Sequence, residues 1–220
     1  YDRRVTKGDG TRRVQPPGGL AVVVCAREVY PREVRPLAGI IEAPALRRDG
    51  SCITAPGYDA RSGLYLRWSG APVDVPDAPT RDEARAAFGV FEELFTDFVF
   101  QGDAAARRVA LAATVAAVLT PLARAAIDGP VPAFMWTADD SLAGKSKLAE
   151  TCGAVVLGRA PPPRQYTPDD DEMSKRIAAV AVSGAPLWFL DNIRAHVEGG
   201  ALELLLTAHD RIAARILGAT

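Results

Sequence analysis

The segment 131–149 constrains this chain more than any other. It holds an apolar run at 131–137, a tight loop at 138–144, and then Gly144, Lys145 and Ser146 at the start of a predicted helix. Buried strand, loop, Gly-Lys-Ser and helix is the order of a phosphate-binding loop. Its physical basis is a set of backbone N–H groups that wrap one anion, with the positive end of the helix dipole behind them. In this pattern Ser141, Leu142, Ala143, Gly144, Lys145, Ser146 and Lys147 line the phosphates. Lys145 places its ammonium on the β- and γ-phosphates, and Ser146 offers its hydroxyl to Mg2+. The expected cofactors are therefore ATP and Mg2+. One position departs from the pattern. Five residues before Gly144, where the loop's first glycine belongs, the chain has Asp139, followed by Asp140. Aspartate tolerates left-handed backbone better than most residues, but a carboxylate beside a triphosphate needs a cation to offset it. The plain alternative is a strand–turn–helix with a coincidental Gly-Lys-Ser.

The second half of the pattern lies at 185–192, where an apolar run ends in Asp191 and Asn192. An acid at the tip of a buried neighbouring strand holds Mg2+ in phosphate-binding-loop proteins. Asp191 follows Lys145 by 46 residues, enough for a helix, a further element and that strand. Lys145 and Asp191 are the candidate catalytic residues, and Ser146 and Asp191 the candidate metal ligands.

The rest of the composition sets bounds. A chain of 220 residues suffices for one large or two small domains. Formal net charge is −1, so bulk electrostatics favours no polyanion. Residues 1–48 carry ten Arg or Lys against five Asp or Glu, which suits either a polyanion-facing or a solvated arm. Arginine outnumbers lysine 22 to four, yet Lys145, Lys147 and Lys175 all fall in the proposed nucleotide region. Cys25, Cys52 and Cys152 are odd in number and widely spaced, as expected of reduced thiols in a cytoplasmic protein. His196 and His209 lack metal-ligand spacing and read as structural or surface residues. No signal peptide is visible. The most apolar stretch, 109–123, reads as too short and too alanine-rich to span a bilayer, and no membrane partner is expected. The chain begins at Tyr1 and ends within ordered-looking sequence, as a fragment of a longer polypeptide would.

Four segments follow along the chain. Residues 1–18 read as a basic linker or arm, and 19–76 as a small β-rich module. Within that module 20–29 is an apolar run of uncertain type, and 37–68 is a β-meander with a hairpin turn at Asp49-Gly50. Its aromatics Tyr58, Tyr65 and Trp68 suit a small core, or the stacking of bases. Residues 77–130 form a helical lead-in. Thr80 and Glu83 make a capping box for its first helix, and a second, alanine-rich helix runs from Asp103 to about Ile127, bent or broken near Pro121. Residues 131–220 form the phosphate-loop core, with a proline-rich loop at 158–168, a helix after the acidic run 169–172, and a short helix at 201–208 before the segment 211–217. Glu172 and Lys175 either cap that helix or border the nucleotide or a subunit interface.

Taken in order, these pieces resemble the ATPase module of phage and prophage primase–helicase-like proteins, phosphate-loop ATPases of the AAA+ group related to superfamily 3 helicases. The resemblance rests on R-P-L-A-G-I-I-E-A-P-A-L-R-R-D-G-S at 35–51, P-G-Y-D-A-R-S-G-L at 56–64 and F-V-F at 98–100. It continues through the Gly-Lys-Ser loop, D-D-E-M-S-K-R-I at 170–177, L-D-N at 190–192 and L-T-A-H-D-R-I-A-A-R-I-L-G at 206–218. It implies an α/β fold with an AAA+-like three-layer core, incomplete at its C-terminal end. It also implies ATP hydrolysis, DNA as a partner and assembly into a homo-oligomeric ring. By this resemblance Asn192 is the third candidate catalytic residue; it stands where many members carry a water-polarising Glu, and Asn can orient water but is a poor base. The expected arginine finger and sensor residue are not identifiable, with Arg211 and Arg215 as weak candidates. Two rival readings remain: a non-hydrolysing nucleotide-binding scaffold or sensor, and a DNA-binding module with a vestigial phosphate loop.

Overall fold

Thr80 sets where the first helix begins. In the computed structural model, which describes residues 4–7, 10–13, 19, 23, 34–71, 73–76, 78–140, 142–209 and 212, α1 spans Arg81–Leu94 with Thr80 as its N-cap. The Glu83 amide donates to Thr80 Oγ1 at 3.2 Å, and the Thr80 amide donates to the Glu83 carboxylate at 2.7 Å. Both halves of the capping box are thus made. Thr80→Ala is expected to cost about 1 kcal/mol, read as a lower urea midpoint at unchanged slope.

The second helix, α2 (Ala104–Leu122), starts on Asp103, whose carboxylate accepts the Ala106 amide at 2.8 Å. It stops earlier than expected, one residue after Pro121, and a 3-10 turn at Arg124–Ala126 follows. Pro121 has no N–H to continue the helical ladder, and its position in the last turn makes the cost small. At its other end α2 begins at Ala104, five residues before the apolar stretch, which brings it to 19 residues with a mean hydropathy of 1.4. Among the described residues it is the one helix long and apolar enough to cross a membrane by length and composition. The expectation that this stretch is too short is corrected accordingly. Its buried residues are Thr114, Val115, Ala117 and Val118, on one side as in a helix packed on a core.

That core is helical. Val115 and Val118 of α2 meet Phe95, just past α1, and Leu148, Cys152, Val156 and Leu157 of α3 (Lys145–Leu157). Leu148, Cys152 and Val156 recur at every fourth position, which places them on one helix face. The Phe95 and Phe98 rings lie 6.1 Å apart and tilted. Gly153 lets the next segment close in, since a Cβ there would lie 2.4 Å from the Pro161 ring.

The stretch 131–137 is not a strand in the structure. Its side chains alternate as an extended chain would, with Phe134 and Trp136 half-buried and Met135 and Thr137 exposed. Pro130 and Pro132 remove two ladder donors at its start, and the segment is held by side chains instead. Trp136 packs against the helical core, and its Nε1 donates to Thr114 Oγ1 at 3.3 Å.

The expected loop 158–168 contains a strand. β8 (Pro163–Gln165) runs parallel to β9 (Phe189–Asp191), with Gln165 opposite Asp191. Proline is tolerated as the first residue of a strand without a partner on its other side. Between the two lies α4 (Asp170–Ser183), capped by Asp169 through the Glu172 amide at 2.9 Å. Glu172 is engaged along its own helix, by Arg176 at 3.0 Å and Lys175 at 3.8 Å. Asp170 reaches across to α5 (Gly200–Thr207) and accepts the Ala201 amide at 2.9 Å. Two members of the acidic run therefore serve as helix caps.

The β-rich part of this unit differs from a meander. β3 (Gly39–Ile41) pairs in parallel with β7 (Leu64–Leu66), which pairs antiparallel with β6 (Gly57–Tyr58). β4 (Ala45–Leu46) and β5 (Cys52–Ile53) form the expected hairpin, whose Gly50 takes φ 83°. The hairpin separates β3 from β6, so β3 pairs with the later strand. Ala45, Ile53 and Leu66 form a small core, with Trp68 packed on it. Tyr65 stays 44% exposed, so only part of the aromatic set is internal.

Arg47, just past β4, and Asp59, just past β6, make a two-pronged pair, Nε to Oδ2 at 3.1 Å and Nη2 to Oδ1 at 2.9 Å. Arg47 also donates to Ser51 Oγ and to the Cys52 carbonyl, while Asp59 accepts the Ser62 amide and hydroxyl. The two side chains are only 17% and 13% exposed. The motifs R-R-D-G-S and P-G-Y-D-A-R-S-G-L thus meet through their own polar side chains.

The chain divides into two units, 1–36 and 37–220. All elements above belong to the second. In the first, where an arm is expected, β1 (Arg4–Lys7) and β2 (Gly10–Arg13) pair antiparallel, with Arg4 opposite Arg13. The runs 20–29 and 211–217 fall outside the described residues apart from Val23 and Ile212, as do Arg211 and Arg215. Overall the protein is mixed α/β, with small sheets and five α-helices among the described residues.

Candidate functional site

Gly144 is the residue on which the site turns. It caps α3 with φ 82°, a left-handed conformation that glycine adopts without the Cβ penalty. Helix α3 has no side-chain cap. Its first backbone bond within the described residues runs from the Leu148 amide to the Gly144 carbonyl at 2.9 Å. The N–H groups of Lys145, Ser146 and Lys147 have no acceptor among the described residues. Three unpaired donors at the positive end of a helix are suited to an anion.

The loop before them carries the departure. The Ala143 amide donates to the Asp140 carbonyl at 3.4 Å, closing the turn. Asp139 accepts a hydrogen bond from Gln101 Nε2 at 3.3 Å, which ties the loop to the connection between α1 and α2. Leu142 is 96% exposed at the tip. Ser141 lies outside the described residues. Lys145 is half-buried and makes no ion pair or hydrogen bond among the described residues. Lys147 is exposed and pairs with Glu150 at 3.8 Å, so its backbone N–H is what it brings to the loop.

The two halves of the sequence pattern meet. Ser146 Oγ donates to Asp191 Oδ1 at 2.8 Å across 45 residues. The parallel pairing of β8 with β9 delivers Asp191 at a strand tip, and α3 delivers Ser146 in its first turn. The same Oδ1 accepts the Asn192 amide at 2.8 Å. Asn192 takes φ 56°, the only positive φ at a non-glycine among the described residues, and asparagine is among the residues that tolerate it best. Its side-chain oxygen accepts Arg194 Nε at 3.2 Å.

A hydroxyl and a carboxylate oxygen at one point form a hard-oxygen donor pair. Mg2+ takes one or two protein oxygens and fills its remaining positions with water and phosphate, so Ser146 and Asp191 fit that ion. No cluster of three or more His, Cys, Asp or Glu suited to a metal occurs among the described residues. Behind the site, burial pushes the Cys152 thiol up to about 11. It is a core residue and not a nucleophile.

Three residues near the site escape sequence reasoning. Gln165 ends β8 and Tyr166 follows it, and Arg194 follows the Asp191-Asn192 pair. With Asn192 and Ile193 they line an open cleft of about 310 Å3 past the carboxyl ends of β8 and β9. The available signal was Arg194 itself, a cation three residues beyond a strand-ending acid. Gln165 and Tyr166 had none, because the proline run before them hides a strand. No family model matches the chain, and neither a curated protein nor a solved structure does.

Proposed function

We propose that the chain is an ATP-binding, ATP-hydrolysing AAA+-like motor module of a phage- or prophage-type DNA helicase or primase–helicase. The contact between Ser146 and Asp191 at 2.8 Å carries the reading. A serine and an acid named independently by the same pattern and found in contact support this reading over a coincidental Gly-Lys-Ser. Three N–H groups and the Lys145 ammonium, all without a partner among the described residues, supply the anion-binding part. Ser146 and Asp191 are the residues that would hold Mg2+, which when bound neutralises charge on the β- and γ-phosphates. Lys145 stabilises the charge that develops as the β–γ bond breaks. The roles of DNA and a homo-oligomeric ring rest on the resemblance described above, and a cytoplasmic location rests on the odd, widely spaced cysteines.

Calorimetry of Mg·ATP tests the reading. Wild type is expected to bind, and Lys145→Ala to bind roughly a hundredfold more weakly, since a charge-assisted hydrogen bond contributes up to about 3 kcal/mol. Equal affinity in the two proteins would refute it.

A second reading, a nucleotide-binding scaffold that does not hydrolyse, draws on Asn192. Its carboxamide is bonded to Arg194, and it offers no base for the attacking water. Binding with no measurable turnover by the assembled protein would select this alternative.

A further inference from the structure

The cleft beyond β8 and β9 has no residue of 138–147 in its lining and shares only Asn192 with the candidate site. It lies where ligands enter open α/β sheets, outside the carboxyl ends of parallel strands. Its volume, about 310 Å3, is at the lower edge of small-molecule sites. The walls have a definite chemistry. Tyr166 contributes an aromatic ring whose hydroxyl is already committed, its one proton shared between the His196 and Glu198 carbonyls and its oxygen accepting the Glu198 amide, each at 3.0 Å. Those bonds hold the ring and the loop 193–199 together, so the aromatic wall is preformed. Arg194 uses only Nε, on Asn192, and both terminal nitrogens are unpaired among the described residues. The Gln165 carboxamide and Asn192 Nδ2 are likewise unpaired among the described residues. Among the described residues no acidic side chain lines the cleft, and Arg194 is its one charged residue.

A preformed aromatic face, two carboxamides and a guanidinium suit the parts of a nucleotide. Aromatic faces stack bases whatever their sequence. Carboxamides pair with base edges, and guanidinium binds phosphate through two parallel N–H groups. We propose that this cleft is a second nucleotide site, which takes one nucleotide unit with its phosphate on Arg194 and its base against Tyr166. The unit is either a free mononucleotide or one residue of a single strand. The site does not depend on occupancy of the phosphate loop.

The test is fluorescence anisotropy with the full chain and a short labelled oligothymidylate, with thymidine monophosphate as competitor. Wild type binds the strand. Arg194→Gln weakens binding at least tenfold, Gln165→Ala weakens it severalfold, and Lys145→Ala leaves it unchanged. Unaltered thermal melting of Arg194→Gln and Gln165→Ala verifies that both remain folded. Competition by the monophosphate assigns the site to a free nucleotide, and its absence assigns it to a strand. The proposal fails if wild type binds neither probe or if Arg194→Gln binds as wild type does. It also fails if Lys145→Ala loses binding in parallel, because the probe then occupies the phosphate loop. Loss of Mg·ATP binding in Lys145→Ala is read separately by calorimetry, so failure of one site is distinguishable from failure of the other.

Discussion

Asp191→Ala is expected to lower Mg2+-dependent ATP turnover by about a thousandfold, several kcal/mol of transition-state stabilisation. The reasoning begins with geometry. Asp191 Oδ1 lies 2.8 Å from Ser146 Oγ, so a single ion between them would use both oxygens. Removing the carboxylate leaves a neutral hydroxyl, a weak Mg2+ ligand by itself. The anion-binding part is untouched, since the N–H groups of 145–147 and the Lys145 ammonium remain. Metal-free ATP should therefore bind Asp191→Ala within about threefold of wild type, or slightly more tightly, since a negative charge has gone from beside the phosphates. A magnesium titration of turnover, run beside calorimetry without metal, separates the two effects. An unchanged magnesium dependence would remove Asp191 from the metal site. Ser146→Ala should act in the same direction but less strongly, because water can replace a hydroxyl ligand more easily than a carboxylate.

Asp59→Ala is expected to destabilise the 37–220 unit by about 3 kcal/mol, the cost of stranding a largely buried charge. Its pair with Arg47 is two-pronged, and each side chain is less than a fifth exposed. Truncation leaves the guanidinium with only Ser51 Oγ and the Cys52 carbonyl. The melting temperature should fall by roughly 8 °C. The same pair predicts a pH dependence. Hydrogen bonds from Arg47, then from the Ser62 hydroxyl, hold the Asp59 carboxyl well below the usual carboxylate range. A carboxyl whose folded pKa is depressed contributes stability that is complete above its unfolded value, near about 4. That contribution is lost as pH falls through the folded value. The difference in stability between wild type and Asp59→Ala should therefore be constant near neutrality and shrink progressively below about pH 4. Paired urea titrations at neutral and acid pH measure it. A difference that stays constant into strong acid would mean that Asp59 acts by packing and not by charge.

The loss in Asp59→Ala lies outside the proposed nucleotide site, so the two predictions check each other. If Asp59→Ala binds Mg·ATP as wild type does below its lowered melting temperature, the Arg47–Asp59 cluster is structural. The residues that carry part of the resemblance at 35–64 then serve the module's own fold.

Local features of this protein were legible in its sequence because their causes are local. Thr80 with Glu83, Asp103, Asp169 and Gly144 each mark the start of a helix, and in each case the cause lies within four residues of the helix's first turn. The Asp49-Gly50 turn is of the same kind, since Gly50 must take a positive φ. Sequence alone also singled out Ser146 and Asp191 as residue types with complementary chemistry. What it could not decide was which distant segments meet. Apolar content at 131–137 suggested a strand, but a strand needs a partner edge and donors, and Pro130 and Pro132 withhold two of them. The proline run at 161–163 suggested a loop, yet β9 offered it a parallel edge. β3 pairs with β7 and not with its neighbour in sequence, because the β4–β5 hairpin lies between. The contact of Ser146 with Asp191 and the cleft of Gln165, Tyr166 and Arg194 both depend on the placement of β8 beside β9. Caps and turns are set by hydrogen bonds within a few residues and can be read from those residues. Strand pairing, and the site built on it, is set by competition among edges far apart in the chain, which only the folded structure resolves.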